Sequence, residues 1–102
     1  QIRNSDISGY EDKKGKNRTL ISDMDFQLIE LLSQRMKISG KIGNLKKENN
    51  IAIFQPERWK VITEYANQKA SETGMSQEFI EKVFKAIHEE SIEVQNNIMI
   101  DR

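Results

Sequence analysis

The sequence predicts an all-α fold of three helices, long, short and long. Two apolar stripes at helical spacing predict the long helices, and a proline-to-glycine interval between them predicts the short one. No convincing strand competes, because "IAIF" is too short and isolated to build a sheet.

In the first helix the apolar residues Ile21, Met24, Leu28, Leu31, Ile38, Ile42 and Leu45 follow in steps of three and four, with Arg35 standing where the rhythm calls for a leucine. Ser22 offers an N-cap with Asp25 in the third helical position, and Arg18 to Ile21 can extend the helix backwards. Run to about Asn49, it spans roughly 28 residues or about 40 Å, longer than a compact monomer of this size comfortably covers. Gly40 and Gly43 weaken it by about 1 kcal/mol each, and both suit a place where a backbone must come close to something. Ahead of it, "QIRNSDISGYEDKKGKNR" is polar and shows no sustained period, so residues 1–18 read as a linker or flexible arm and residues 19–102 as the domain.

Asn49 and Asn50 suit a helix end, and Pro56 suits the first turn of the next helix. That second helix, about Glu57 to Glu72, carries Trp59, Ile62, Tyr65 and Ala66 inward and stops at Gly74. Ser76 caps the third, whose stripe runs Ile80, Phe84, Ile87, Val94 and Ile98, with Ser91 interrupting it.

Composition limits the chemistry. The chain has 102 residues, enough for one domain with a modest core, so a partner subunit fits. Sixteen basic residues balance sixteen acidic ones, so no global field draws the protein to nucleic acid or anionic lipid, and any anion selectivity is local. Without cysteine there is no disulfide, thiolate metal site or cysteine nucleophile, which suits a reducing cytosol. His88 is the only histidine, and among helical apolar residues it reads as a packed side chain. No stretch is long and apolar enough for a membrane span or a signal peptide core.

The two interrupted stripes carry the functional signal. An unpaired buried Arg35 would cost several kcal/mol, so it must meet a counter-charge, water or an anionic ligand. Lys46 follows eleven residues later on nearly the same face, and Gln95 follows Ser91 by four. A guanidinium, an ammonium, a hydroxyl and an amide thus converge on one anion pocket without an obvious nucleophile. Read singly, each residue has a plainer account. A polar seam position sets register or partner choice, Lys46 in "NLKKE" is a solvated lysine, Ser91 back-bonds to its own helix, and Gln95 is exposed.

Together, Arg18, "LLSQRMKISGKIGNLKK", "PERW" and "ESIEVQ" resemble the all-helical chorismate mutase family, from about Arg18 to Met99. The resemblance implies an intertwined homodimer whose long first helices cross, so that each site takes Arg18 from the neighbouring chain. It implies that Arg35 and the neighbour's Arg18 clamp the two carboxylates of chorismate with help from Ser91, and that Lys46 and Gln95 donate to the ether oxygen of the breaking bond. Arg58 is assigned to substrate binding. Where relatives often carry acidic residues to receive the ring hydroxyl, this chain has Gln55 and Trp59, and Trp59 cannot accept as a carboxylate does. Gln95 does not titrate, so the rate is expected to be flat between about pH 5 and 8. The family needs no cofactor or metal and works in the cytoplasm. The arm before Arg18 resembles the tether of a mutase domain fused to an upstream DAHP synthase. Two other functions share these features: isochorismate pyruvate lyase, which uses a similar pocket, and a non-catalytic regulatory or dimerisation module.

Overall fold

The structure, a computed structural model, describes residues 4–53 and 56–100, apart from the side chains of residues 4–7, 56 and 58. Three helices follow in order, α1 over Asn4–Glu48, α2 over Pro56–Thr73 and α3 over Gln77–Ile100, and no strand occurs among the described residues. The all-α, long-short-long expectation holds. By contact the chain divides into two compact units, Gln1–Ser33 and Gln34–Arg102.

The first unit corrects one local expectation. Residues 4–18, read as a linker or flexible arm, are helical, and Ser22 is an interior helical residue rather than an N-cap. Local contacts assist this segment, which has no apolar stripe, without outweighing its two glycines. Lys14 pairs with Glu11 at 3.8 Å and lies 5.6 Å from the centre of the Tyr10 ring, and Thr19 Oγ1 donates to the Gly15 carbonyl at 3.0 Å. Such contacts one turn apart contribute a few tenths of a kcal/mol each, against about 1 kcal/mol lost at each of Gly9 and Gly15. Missing periodicity reflects a helix with no buried face, not a missing helix. Further along, Ile21, Met24, Phe26, Leu28, Ile29 and Leu31 are all exposed.

In the second unit the apolar centre lies between α2 and α3. Ala66 and Ala70, one turn apart on α2, are small enough to admit Ile80, and Phe84 packs against the three. Tyr65, expected inward, is instead 58% exposed with Lys69 Nζ 5.7 Å from its ring centre. It sits one residue off the Ala66 stripe, about 100° around the helix, and its ring serves a cation at the surface. The α3 cap is as read, with the Phe79 amide donating to Ser76 Oγ at 3.1 Å, and Gly74 adopts a left-handed φ of 77° after α2.

Two features set α1 against α3. Gly43 is buried, and a Cβ built there would lie 3.1 Å from Gln95 Cα, so this is a close approach of backbones that only glycine permits. At its C-terminus α1 closes with a Schellman motif: the Ile51 amide donates to the Lys46 carbonyl at 2.8 Å, and the Asn50 amide to the Lys47 carbonyl at 3.4 Å. Asn50 has φ 56°, which asparagine tolerates better than most residues.

Candidate active site

A cavity of about 360 Å³ opens within the second unit. Its polar wall comes from Arg35, Ser39 and Lys46 on α1 and from His88, Ser91 and Gln95 on α3, and isoleucines including Ile38, Ile42 and Ile92 complete the lining. Helical arithmetic explains the grouping. Residues 35, 39 and 46 repeat at four and seven, and residues 88, 91 and 95 at three and four, so each trio shares one face. Among the described residues no acidic side chain lines the cavity. A protein with formal net charge +0 therefore concentrates two cations here, a setting that suits a negatively charged ligand.

Around Ser91 the contacts are dense. Arg35 Nη1 donates to Ser91 Oγ, Ser39 Oγ donates to it at 3.0 Å, and Ser91 Oγ lies 3.7 Å from Met36 Sδ. Ser39 and Ser91 are both 6% exposed, so their hydroxyls depend on these partners. At the other end of the cavity Lys46 Nζ donates to Gln95 Oε1 at 3.0 Å and to the Ile53 carbonyl at 2.8 Å. With its oxygen taken by Lys46, Gln95 keeps its amide NH₂ as a donor. Burial lowers the Lys46 pKa from the ordinary lysine value, the mark of an ammonium short of water and of negative charge.

His88 stacks on the Trp59 ring, with centroids 4.5 Å apart and planes 26° apart. Burial lowers its pKa first, the Arg35 charge lowers it further, Glu89 opposes the shift and Lys46 adds to it. The imidazole thus favours its neutral form beside two cations.

Of the residues singled out from the sequence, Arg35, Lys46, Ser91 and Gln95 meet in this cavity. Trp59 stands behind His88 rather than in the lining. Arg18 is exposed on the part of α1 that belongs to the first unit. Gln55 and the Arg58 side chain lie outside the described residues. Two wall residues escaped sequence reasoning. Ser39 follows Arg35 by one turn, and His88 precedes Ser91 by three residues, so the spacing that paired Ser91 with Gln95 pointed to both.

Comparison with known proteins shows the family. The chorismate mutase type II family profile matches residues 17–96. The T-protein of Haemophilus influenzae is 28% identical over 79 residues, which cover 78% of this chain and 21% of that protein. The bifunctional chorismate mutase/prephenate dehydratase of Buchnera aphidicola subsp. Acyrthosiphon pisum is 30% identical over 82 residues, covering 80% of this chain and 21% of that one. The T-protein of Enterobacter agglomerans is 26% identical over 80 residues, covering 78% and 21%. The chain thus spans about a fifth of the length of the curated relatives it matches. No solved structure matches it.

Proposed function

We propose that this chain, which belongs to the chorismate mutase type II family, rearranges chorismate to prephenate in aromatic amino acid biosynthesis. The observation that carries the reading is the Lys46 to Gln95 pair, 3.0 Å apart, lining with Arg35 and Ser91 a cavity in which no carboxylate occurs among the described residues.

The reaction is a concerted pericyclic shift. The ether C–O bond between ring and enolpyruvyl arm breaks as a C–C bond forms, with no net proton transfer, so no base or nucleophile is required. What the protein must do is hold the arm over the ring in a compact chair-like pose and stabilise charge that appears only on the way. Arg35, with Ser91, grips one carboxylate, and freezing that pose removes part of the entropic barrier. As the C–O bond stretches, negative charge grows on the ether oxygen. The Lys46 ammonium and the Gln95 NH₂ stabilise that charge more than they stabilise the ground state. Lys46 is half-buried, and burial lowers its pKa, so its field is screened less than that of a fully solvated ammonium.

The second carboxylate requires a further cation. In this reading it is Arg18 from a second copy, in an intertwined homodimer. Support comes from the α1 seam, where Ile21, Met24, Leu28, Leu31, Ile38, Ile42 and Leu45 are all exposed in one chain. Exposed apolar residues at this heptad spacing mark an interface. Gln55 and Arg58 are assigned to the ring end of the substrate, with Trp59 acting there only through the His88 ring that it backs, and the ring hydroxyl then meets an amide rather than a carboxylate. No described helix is long and apolar enough to cross a membrane, in keeping with a cytoplasmic enzyme. A covalently joined upstream DAHP synthase rests on the sequence resemblance alone, and the Buchnera relative named above is a chorismate mutase/prephenate dehydratase.

The test is the ultraviolet loss of chorismate on adding the purified chain, with the product identified. Prephenate is the expected product. Turnover of isochorismate to salicylate in place of mutase activity would make the chain a lyase. No turnover of either compound would leave it an assembly module. Arg35→Ala should cut kcat/KM by at least a hundredfold while the protein stays dimeric.

A further inference from the structure

Ser39 is a buried hydroxyl in the cavity wall, one turn after Arg35, that the mechanism above leaves idle. A serine oxygen carries one proton and two lone pairs. At Ser91 both lone pairs are filled, one by Arg35 Nη1 and the other by Ser39 Oγ at 3.0 Å. Ser91 therefore cannot accept another bond and has only its proton to offer. That proton faces the Met36 thioether at 3.7 Å, a weak acceptor.

We propose that Ser39 is a positioning residue of the anion site: by filling the second lone pair of Ser91 it fixes that hydroxyl as a donor, ready to leave Met36 for a carboxylate oxygen of the ligand. The proposal rests on the mutase reading for the identity of the ligand. The exchange is downhill, because a hydroxyl bonded to a carboxylate gains a charge-assisted bond in place of one to sulfur. Without Ser39 the Ser91 hydroxyl has a vacant lone pair and a second orientation, in which oxygen rather than hydrogen faces the anion. The Ser39 bond removes that orientation before the substrate arrives. Its effect belongs to ligand affinity and not to the ether oxygen, since Lys46 lies seven residues, about 10 Å, further along α1.

The experiment is steady-state chorismate turnover by the purified chain and by Ser39→Ala, Ser39→Thr, Ser91→Ala and the double alanine variant, with urea unfolding of each. Ser39→Ala should raise KM three- to tenfold and leave kcat within twofold. The double variant should match Ser91→Ala alone, because Ser39 acts only through Ser91. Ser39→Thr, which keeps the hydroxyl, should stay closer to the parent than Ser39→Ala. A merely structural bond between α1 and α3 would lower the urea midpoint and the active fraction, hence the apparent kcat, and leave KM alone. That result overturns the proposal, as does an unchanged KM or a double variant whose losses multiply. Turnover by the parent chain with an unaltered Ser39→Ala would sink this inference and spare the mutase reading, whereas absence of turnover in the parent would sink both.

Discussion

Alanine at Gly43 and at Gly40 should have opposite effects although the two sites share a helix. In a helix interior, glycine to alanine gains up to about 1 kcal/mol from backbone entropy. At Gly43 the new Cβ would lie 3.1 Å from Gln95 Cα, 3.2 Å from its Cγ and 3.3 Å from its Cβ. Carbon atoms prefer about 3.5–4.0 Å, so about half an ångström must be found, and a Cα cannot rotate away. The α3 backbone has to retreat, at the roughly 1–3 kcal/mol that overpacking costs. Set against the propensity gain, the net loss of stability is about 0–2 kcal/mol. Activity should suffer more, because the retreating residue is Gln95 itself. Stretching its 3.0 Å bond to Lys46 by about the same half ångström takes it past normal hydrogen-bond range, and kcat should fall about 10- to 100-fold. At Gly40 the nearest atoms are Ile98 Cδ1 at 3.4 Å and Val94 Cγ1 at 3.8 Å, both tips of side chains that can shift. That variant should gain about 0.5–1 kcal/mol, a rise of several degrees in melting temperature, with kcat unchanged. Urea unfolding and chorismate absorbance measure both arms. Should Gly43→Ala prove as stable as Gly40→Ala and as active as the parent, the close approach of α1 and α3 is not what places Gln95.

Replacing Lys46 by Met should reduce kcat by about 10²–10³, the usual loss for one oxyanion donor; an unchanged kcat would contradict that role. The lowered pKa of His88 implies that the unfolded chain takes up a proton near pH 6.5 while the folded chain resists until lower pH, so stability should fall as pH drops through that value and level off below the folded pKa. His88→Gln should lose that slope, and the fluorescence of Trp59, the only tryptophan, should follow the same titration through the stacked ring. Because His88 lines the cavity, the rate should depart from flat only below about pH 6.5, where the folded imidazole takes up its proton, whereas the non-titrating Gln95 alone would give no such departure. Leu28→Glu places a charge in the exposed α1 seam and should shift sedimentation from dimer to monomer, with turnover lost in parallel; an active monomer would separate the seam from the site.

Much of this was legible because helix and site share one code. The spacing that makes Ile38, Ile42 and Leu45 a stripe also puts Arg35 and Lys46 on it, so a polar residue in an apolar rhythm marked the cavity before any contact was known. The helical state of residues 4–18 was hidden for the converse reason. Periodicity records what a helix buries, and residues 8–18 are exposed in the single chain except for the half-buried Lys14, with only local pairs such as Glu11 with Lys14 along them. Ser39 was overlooked because a small polar residue beside glycine is common in helices, and its importance lies in which lone pair it fills on another helix. Trp59 showed the loss of a carboxylate in sequence, but only the fold shows it backing His88, which turns an apparent gap in the site into a wall.

Lys46 is fastened at both ends. Its carbonyl takes the Ile51 amide, and its ammonium takes the Ile53 carbonyl. The three residues after Asn50 therefore travel with the charge that the proposed mechanism sets against the ether oxygen, like a handle on a tool. Whatever pulls on that loop, whether a neighbouring domain or drift in its own sequence, retunes the reacting centre without exchanging a single side chain that touches substrate.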